Sequence, residues 1–303
     1  MEQTIIVSDV DKKTRLDVYL AEVLDDWTRS QIKKQIDTGG ALINGKVSKA
    51  GNLVSSGDTI SISFNRESGL EEILPEDIKL DIVYENQDFA VINKPQGMVV
   101  HPAPGNYTHT LVNALLYHFD MDISSVDKAR PGIVHRIDKD TSGLIVVAKN
   151  NFAHASLAKQ FAEHSARRTY EALLEGNLKE ESGTIKTFLN RDKTDRKKYA
   201  VSDSGKLAIT HYKVLERFVG YTLCEFELET GRTHQIRVHC KYLGHPIVGD
   251  KTYGYSKQKF SLNGQLLHAK KLKLKNPRTN EEMVFFVPLP DYFEKVLKNL
   301  KKS

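Results

Sequence analysis

A ten-residue stretch, 135–144, carries the side chains best suited to chemistry and reads HRIDKDTSGL. An apolar run at 144–148 follows directly and is typical of a buried strand. Reactive groups are commonly placed on such loops, because the strand holds their geometry while the loop carries function. We therefore expect catalytic or binding side chains within this stretch.

Two familiar catalytic arrangements can be drawn from these residues. Ser142, His135 and Asp138 are the residue types of a hydrolytic triad, but the serine lacks the Gly-x-Ser-x-Gly elbow. Asp138 and Asp140 are the residue types of a glycosidase pair, which needs two carboxylates about 5–10 Å apart across a sugar. Carboxylates two residues apart on one loop point in unpredictable directions, so neither arrangement is favoured.

A metal site is the third alternative. The candidate ligands lie in one C-terminal segment and are His234, His239, Cys240 and His245. The chain has neither a Cys-x-x-Cys nor a His-Glu-x-x-His pattern, and scattered His and Cys side chains are more often structural. We therefore predict no metal.

A single carboxylate held among arginines is the fourth alternative. Asp138 lies two residues after Arg136, and Arg232 and Arg237 come from a distant polar segment. An arginine paired with Asp138 would keep the carboxylate ionised and fix its direction. A lone pair of this kind is more often an ordinary salt bridge, so the residues alone leave both interpretations open.

The elements that position these residues begin with a small N-terminal unit. Apolar residues at the helical period predict two helices, capped at Thr14 and Thr28. Asn44-Gly45 favours a tight hairpin turn, and alternation over 60–64 predicts a half-buried strand. The pattern predicts a compact unit of two helices and a small sheet.

Three cations on the second helix, Arg29, Lys33 and Lys34, are spaced to grip neighbouring phosphates. Acids equal bases over 14–62, so charge alone does not distinguish an RNA-binding face from an ordinary surface. The order of elements over 14–62 resembles the S-four-type RNA-binding module, named after a ribosomal small-subunit protein. This resemblance implies binding to structured RNA.

The predicted organisation is an RNA-binding module at 14–65, an acidic linker at 66–79 and a large domain at 80–303. The linker is rich in acids and lacks periodicity. In the large domain, strands and helices intermix without regular alternation, which favours an α+β fold with a mixed sheet. Two basic segments, 186–198 and 270–278, are consistent with a groove that grips an RNA backbone.

The composition of the whole chain bounds its class. At 303 residues, 40% hydrophobic and 27% charged, the chain can form one large domain with a small one. We expect a cytoplasmic protein, because no signal-like segment opens the chain, no apolar run approaches the ~18 residues that span a bilayer, and there are only two cysteines. The net charge of +5 favours an anionic partner such as nucleic acid.

Five sequence blocks together resemble the signature set of the RluA family of pseudouridine synthases. In chain order they are KPQGMVVHP, HRIDKDTSGL, TGRTHQIRVH, GHPIVGD and LHA. The resemblance implies that the large domain is catalytic and has the family's α+β fold, with a central mixed and mainly antiparallel sheet. It also implies isomerisation of uridine to pseudouridine in RNA without a cofactor. Large-subunit ribosomal RNA is favoured over transfer RNA, and a monomer with no membrane partner is expected.

The resemblance further implies roles for individual residues. Asp138 matches the catalytic aspartate, Tyr170 matches the tyrosine that stacks on the target base, and Arg237 is assigned to pair with Asp138. Asp138 either attacks the sugar or the base or assists proton removal, and the sequence does not choose. Arg136 is assigned to fill the space left when the uridine flips out of the RNA. The other residues predicted to bind the substrate are His135, Arg232, Arg29, Lys33 and Lys34.

Two positions depart mildly from the family pattern. Ile137 replaces the commoner leucine, and Arg168 stands where a lysine is usual, which preserves charge but not hydrogen-bond geometry. The rival interpretations are a noncatalytic RNA-binding or ribosome-assembly factor and a hydrolase. The intact set of Asp138, Tyr170 and Arg237 argues against the first, because a binding protein needs no nucleophile. The missing serine elbow disfavours the second.

Overall fold

The structure is a computed structural model that describes residues 2–8, 13–24, 29–63, 73–103, 105–119, 130–192, 194–195 and 198–302. The chain divides into two compact units, Met1–Glu72 and Ile73–Ser303. The predicted cap at Thr28 and the end of the predicted strand at Phe64 lie outside the described residues. No helix in the described ranges is long and apolar enough to cross a membrane.

The first unit contains two short helices and two small sheets. Its elements are β1 (Glu2–Ile6), β2 (Thr14–Arg15), α1 (Leu16–Val23), α2 (Arg29–Gln35) with a wider helical turn at Ile36–Gly40, β3 (Ala41–Ile43), β4 (Lys46–Val47), β5 (Leu53–Val54) and β6 (Thr59–Ser63). The strands pair in the order β1-β6-β3-β4, and β2 pairs with β5.

An apolar core of its own stabilises the first unit. Leu16 and Leu20 of α1 are fully buried in one cluster with Ile32 of α2 and with Ile60 and Ile62 of β6. Burying each such side chain contributes roughly 1.5–3 kcal/mol relative to leaving it in water. The helical and alternating patterns that predicted these elements are confirmed.

Local signals at the ends of these elements were less reliable. Thr14 lies in β2, and Arg15 occupies the position before α1 without capping the helix through its side chain. The prediction of Thr14 as the cap was wrong, because a β-branched residue before an apolar run can equally begin a short strand. The turn at Asn44-Gly45 is confirmed, with φ of 50° and 76°.

The second unit is built on one large sheet with four helices in the described residues. Its strands are β7 (Ile82–Glu85), β8 (Phe89–Lys94), β9 (Ser142–Ala148), β10 (Arg167–Glu175), β11 (Ser182–Arg191), β12 (Tyr199–Ser202), β13 (Lys206–Phe218), β14 (Tyr221–Leu228), β15 (Leu267–Lys275) and β16 (Glu282–Phe286). Its helices are α3 (Leu111–His118), α4 (Asn151–Ala162), α5 (Gln235–Tyr242) and α6 (Asp291–Lys298).

The large sheet has the strand order β12-β11-β13-β14-β10-β15-β9-β8-β7, with β16 also paired to β15. Within the described strands, every pair is antiparallel except β9 with β15. The prediction of a mixed, mainly antiparallel α+β sheet is confirmed. Because parallel strands begin at the same edge of a sheet, the loops that precede β9 and β15 lie together.

Strand β9 is buried at every residue, as its apolar sequence predicted. Its side chains alternate between two clusters, one shared with α3 and the other with α4. Helices therefore cover both faces of this strand. The strand is a rigid base for the loop of 135–141 that leads into it.

The second half of the predicted acidic linker has no regular structure and is tied to α3. Asn113 Nδ2 donates to the Leu74 carbonyl at 2.8 Å, and Glu76 N donates to the Asn113 carbonyl at 3.0 Å. The Glu76 carboxylate accepts from His109 N at 2.9 Å. Residues 73–79 are therefore anchored to the second unit.

Strand β15 has the predicted single solvent-exposed face, with Leu272 and Leu274 buried and Lys271 and Lys275 exposed. In the described residues, the two basic segments lie on different strands of the sheet. The described part of segment 186–198 includes the end of β11, which β13, β14 and β10 separate from β15. Three cations of the second segment also have acidic partners, in the pairs Lys270–Glu171, Lys273–Glu282 and Arg278–Asp88.

Candidate active site

Arg237, on the first turns of α5, joins two carboxylates from distant parts of the chain. Its Nη1 donates to Asp138 Oδ2 at 2.9 Å. Its Nε and Nη2 donate to the two oxygens of Asp250 at 2.7 and 2.9 Å. A guanidinium with all three nitrogens engaged is fixed in orientation, so it holds Asp138 in one direction.

Asp250 is the buried anchor of this cluster. Its Oδ1 also accepts from the backbone N–H groups of Thr252 and Tyr253, at 2.8 and 3.0 Å. Burial would raise the pKa of Asp250, but the hydrogen bonds and charge of Arg237 hold it below the ordinary value. The same contacts raise the pKa of Arg237 against the effect of its own burial. The pair is therefore ionised.

A buried lysine supports the loop that carries Asp138. Lys94, at the end of β8, is fully buried, and its ammonium donates to the carbonyls of Pro95, Met98 and Lys139 at 2.8 to 3.0 Å. Burial lowers the pKa of Lys94 to about 7, although the charges of Asp138 and Asp140 act to raise it. These hydrogen bonds join the KPQG block to the loop that carries Asp138.

The other side of the loop is fixed by residues just before and within β15. Gln96 Nε2 bridges the carbonyls of Asp140 and Gln265 at 3.1 and 3.0 Å. Gly143 has φ of 110°, and a Cβ there would lie 2.3 Å from the Ala269 carbonyl oxygen, so only glycine fits. The approach of β9 to β15 therefore depends on this glycine.

An open cavity lies above Asp138. Its lining combines the Asp138 loop, β10, β14, α5 with the loop before it, and β15. The residues are Arg136, Ile137, Asp138, Thr141, Arg168, Tyr170, Leu228, Gly231, Arg232, Thr233, His234, Gln235, Ile236, Arg237 and Leu267.

Tyr170 forms one wall of this cavity from the middle of the sheet. It lies on β10, opposite Phe226 of β14 and Ala269 of β15. Burial raises the pKa of its phenol, the charge of Arg168 opposes that effect and the charge of Asp138 adds to it. The phenol is therefore protonated at neutral pH.

The structure brings together most, but not all, of the residues predicted to bind substrate in this domain. Arg136 is exposed at the cavity, and Arg232 lines it while its Nε donates to the Leu207 carbonyl at 2.9 Å. His135 lies behind the cavity, where its Nε2 accepts from Val146 N at 3.0 Å. Its ring also stacks on Phe161 with centroids 4.3 Å apart. These contacts assign His135 to supporting the loop instead of binding the substrate.

The hydrolytic triad does not form. Ser142 is buried, and its hydroxyl is hydrogen-bonded to His268 Nδ1 at 2.9 Å and to the Tyr292 hydroxyl at 2.8 Å. His135 is occupied by the backbone of Val146. Ser142 therefore joins β9 to β15 and α6 and has no nucleophilic role.

The four proposed metal ligands have separate partners. His234 is hydrogen-bonded to the Tyr253 hydroxyl at 2.9 Å, His239 contacts the hydroxyl of Thr210 at 2.8 Å, and His245 contacts the Glu175 carbonyl. Cys240 is a buried free thiol. Among the residues that the structure describes, no three His, Cys, Asp or Glu side chains are grouped to hold a metal ion.

In the first unit, the predicted cations lie on α2, with Arg29 as its first residue. Arg29 Nε and Nη2 donate to Asp17 Oδ2 at 3.0 and 2.9 Å, and Arg15 donates to the same carboxylate. Lys33 is exposed, and the side chain of Lys34 lies outside the described residues. Asp17 therefore holds two arginines at one surface.

Two residues of the second unit were not predicted from the sequence. Asp250 ends the GHPIVGD block, and Lys94 begins the KPQG block, yet neither was given a role. The sequence feature that could have pointed to them is a single acidic residue or lysine at the edge of a block that contains Gly or Pro. What it contacts depends on pairing between distant strands.

Comparison with known proteins agrees with this geometry. The chain matches the family model described as RNA pseudouridylate synthase over residues 88–242, and the model of the S4 domain over residues 14–60. An uncharacterized RNA pseudouridine synthase of Bacillus subtilis (strain 168) is 46% identical over 300 residues, which cover 99% of this chain and 98% of that protein.

Two further relatives extend the comparison. Ribosomal large subunit pseudouridine synthase D of Pseudomonas aeruginosa is 42% identical, over 95% of this chain and 92% of that protein. The solved structure of human RNA pseudouridylate synthase domain containing 1 matches with a TM-score of 0.59 at 28% identity, over 75% of this chain and 98% of that chain. The chain therefore belongs to the RNA pseudouridine synthase family and is an enzyme that isomerises uridine to pseudouridine in RNA, with an S4 domain ahead of its catalytic unit.

Proposed function

We propose that this enzyme modifies uridines of large-subunit ribosomal RNA and that Asp138 is its catalytic carboxylate. The observation that carries the catalytic assignment is the Arg237 guanidinium, shared between Asp138 and the buried Asp250 beside a cavity walled by Tyr170. The RNA assignment is supported by the similarity to ribosomal large subunit pseudouridine synthase D over 95% of the chain.

The carboxylate of Asp138 is suited to act on the ribose or the base. Arg237 engages Oδ2, and no donor among the described residues is hydrogen-bonded to Oδ1. That oxygen faces the substrate, either to attack it or to receive a proton from the sugar. The reaction needs no outside atoms, because the bond from C1′ to N1 breaks, a bond from C1′ to C5 forms, and a proton leaves C5 while N1 gains one.

Tyr170 is assigned to stacking on the target base. Its ring lines the cavity, and burial keeps the phenol protonated, so the hydroxyl is a poor proton acceptor at neutral pH. A removal of the C5 proton by this group would first require loss of its own proton. Arg136, exposed at the rim, is assigned to fill the gap that a flipped uridine leaves in the RNA.

A second depression adjoins the cavity through Arg232 and supplies a path for the flanking RNA strand. It is lined by Arg191, Lys206 and the ring of Tyr199, and the Arg191 guanidinium lies 5.8 Å from that ring. Cations that follow a phosphate backbone and an aromatic ring on which a base can stack are the parts of a single-strand site. We assign the nucleotides next to the target to this depression.

The S4 domain is proposed to bind structured RNA near the target, through Arg29, Lys33 and Lys34. We further propose that the enzyme acts in the cytoplasm during ribosome biogenesis. It is proposed to work as a monomer.

Pseudouridine mapping in total RNA tests the proposal directly. Cells that lack the enzyme are expected to lose pseudouridine at specific positions of large-subunit ribosomal RNA. The wild-type gene and an Asp140→Asn variant should restore these positions, because Asp140 does not line the cavity. An Asp138→Asn variant should not restore them.

Each alternative outcome has a distinct meaning. Loss of pseudouridine from transfer RNA alone would contradict the ribosomal assignment. Restoration by Asp138→Asn would contradict the role of the carboxylate.

A further inference from the structure

We infer that Arg168 is an anion-binding residue of the cavity and that its ligand is a phosphate group of the nucleotide whose base lies against Tyr170. This inference deepens the proposed function and rests on it for the identity of the nucleotide. Arg168 lies two residues before Tyr170 on β10, and both side chains line the cavity.

The charges in the cavity leave Arg168 without a carboxylate. Four arginines line it, and Arg237 is saturated by Asp138 and Asp250. Arg168 has no carboxylate within salt-bridge distance among the described residues, and it is only partly exposed. A partly buried guanidinium is always charged and calls for an anion, so Arg168 can offer its charge to a ligand.

The hydrogen-bonding capacity of Arg168 is also incomplete. Its Nε is buried and has no hydrogen-bond partner in the described part of the chain. The great majority of buried polar atoms in folded proteins are satisfied, and an exception calls for a ligand or a water. A phosphate oxygen accepts hydrogen bonds from the Nε side of a guanidinium, whose planar fork matches two phosphate oxygens.

Neighbouring groups hold the guanidinium without neutralising it. It lies over the Phe161 ring, 5.4 Å from the centroid, and close to Gly231. Burial, with a smaller contribution from the charge of Arg168, lowers the pKa of His135 well below 6.5, so this neighbour is neutral. The position of the charge is therefore set by packing.

The spacing along β10 suits a nucleotide. Residues i and i+2 of a strand point to one face about 6.8 Å apart, so a base on the Tyr170 ring and its phosphate at Arg168 can be held together. Arg168 also acts on the Tyr170 hydroxyl through its charge and a hydrogen bond. A rival role for Arg168 is therefore to tune that phenol, and the test must separate the two.

Gly231 offers a way to move the guanidinium without removing its charge. A Cβ at this position would lie 2.9 Å from Arg168 Nη2 and 3.1 Å from Nη1, and the three nearest atoms it would meet all belong to Arg168. The backbone at Gly231 has no positive φ, so alanine is tolerated there. Gly231→Ala should displace the end of a flexible side chain and leave the fold intact.

The experiment measures binding of uridine, uridine 5′-monophosphate and uridine 3′-monophosphate to the full chain by ligand-observed NMR titration. Wild-type enzyme is expected to bind one of the monophosphates about tenfold more tightly than uridine, the ratio that a charge-assisted contact supplies. Arg168→Gln should bind that monophosphate and uridine equally, and Gly231→Ala should reduce the preference. Arg278→Gln, which removes an equal charge outside the cavity, should keep it.

Two results would contradict the role of Arg168 in binding phosphate. The inference is overturned if wild-type enzyme does not prefer either monophosphate, or if Arg168→Gln keeps the preference. In the second case, a kcat that falls with an altered pH profile and an unchanged KM would assign Arg168 to the Tyr170 phenol. Thermal unfolding of each variant checks the fold. Failure of the RNA mapping would contradict the proposed substrate, whereas these binding ratios need no turnover.

Discussion

Each unit contains an aspartate–arginine cluster. The aspartate is the buried member of the cluster in the first unit, and the arginine is the more buried member in the catalytic unit. In the first unit, Asp17 is 2% exposed, whereas the side chains of Arg15 and Arg29 are 50% and 56% exposed. In the catalytic unit, Arg237 is 7% exposed and Asp138 is 19% exposed. The buried member anchors each cluster, and the other member is the more accessible one.

This inversion explains how one pair of residue types serves two tasks. The first cluster presents cations, which suit phosphates, and the second presents a carboxylate, which suits chemistry on a sugar or a base. The energetics differ too, because the arginines of the first cluster remain solvated without their partner, whereas a buried arginine that loses its partner costs several kcal/mol. Substitutions should therefore act mainly on binding in one cluster and on catalysis and stability in the other.

The largest effect is expected for Asp138→Asn, which removes the presented carboxylate and keeps its shape. Pseudouridine formation on the mapped RNA should fall by about 10³-fold or more, because an amide is neither a nucleophile nor a base at neutral pH. RNA affinity, measured by filter binding, should stay within a few fold. A variant that remains active would remove Asp138 from the mechanism.

Asp250→Asn removes the buried carboxylate that anchors Arg237. It leaves the buried Arg237 with one carboxylate, so the catalytic unit should lose about 3–5 kcal/mol of unfolding free energy and its activity should drop. Urea unfolding measures the first effect. Asp88→Asn is the matched control, because Asp88 is equally hidden but pairs with the exposed Arg278. Equal losses in the two variants would show that burial of the arginine is not what matters.

Removing presented cations from the first unit should have a smaller effect. The double variant Arg29→Gln with Lys33→Gln should weaken RNA binding and reduce the slope of log affinity against log salt by about 1–2, since two phosphate contacts are lost. Lys298→Gln, on the exposed side of α6, serves as the charge control. An unchanged salt slope would show that this face of the S4 domain does not touch RNA.

The smallest expected effect is on the stability of the protein at acidic pH. Burial raises the pKa of Asp17, but hydrogen bonds from Arg15 and Arg29 outweigh it and leave the pKa below the ordinary 3.8. The folded state therefore binds this proton less readily than the unfolded state. The stability it contributes is present above about pH 3.8 and is lost as pH falls through the lower, folded-state value.

Circular dichroism between pH 5 and pH 2 checks this sign. Asp17→Asn should flatten the dependence of unfolding free energy on pH over that interval. A dependence as steep as that of the wild type would mean that other carboxylates govern the acid response.

The sequence was informative about the reactive groups and less so about what holds them. Asp138 stands in a charged block before an apolar strand, which local patterns reveal. Its contact with Arg237 spans 99 positions, so the residues alone left the choice of arginine open and the family resemblance selected Arg237. The contacts of Asp250 and Lys94 follow from backbone paths that no local pattern encodes.

The fold divides in the same way. Helices α1 to α5 and the buried strands were predictable because their apolar residues repeat at the helical period or run without interruption. Strands β11 and β13 were not predicted, because each is long and has a solvated face on which charged residues conceal the alternation. His135 was assigned to substrate because sequence cannot tell which side of a loop a ring occupies.

The hydrogen bond from Ser142 to Tyr292 has a consequence for the order of events during synthesis. The hydrogen bonds that support the Asp138 loop involve residues from Lys94 to Tyr292 on α6. The loop can therefore reach its final structure only after nearly the whole chain has been synthesised. At translation rates of about 5–20 residues per second, about 8–30 seconds separate the synthesis of Asp138 from that of Tyr292. The S4 domain has its own core and can fold during that interval, so a nascent chain should bind RNA before it can modify it.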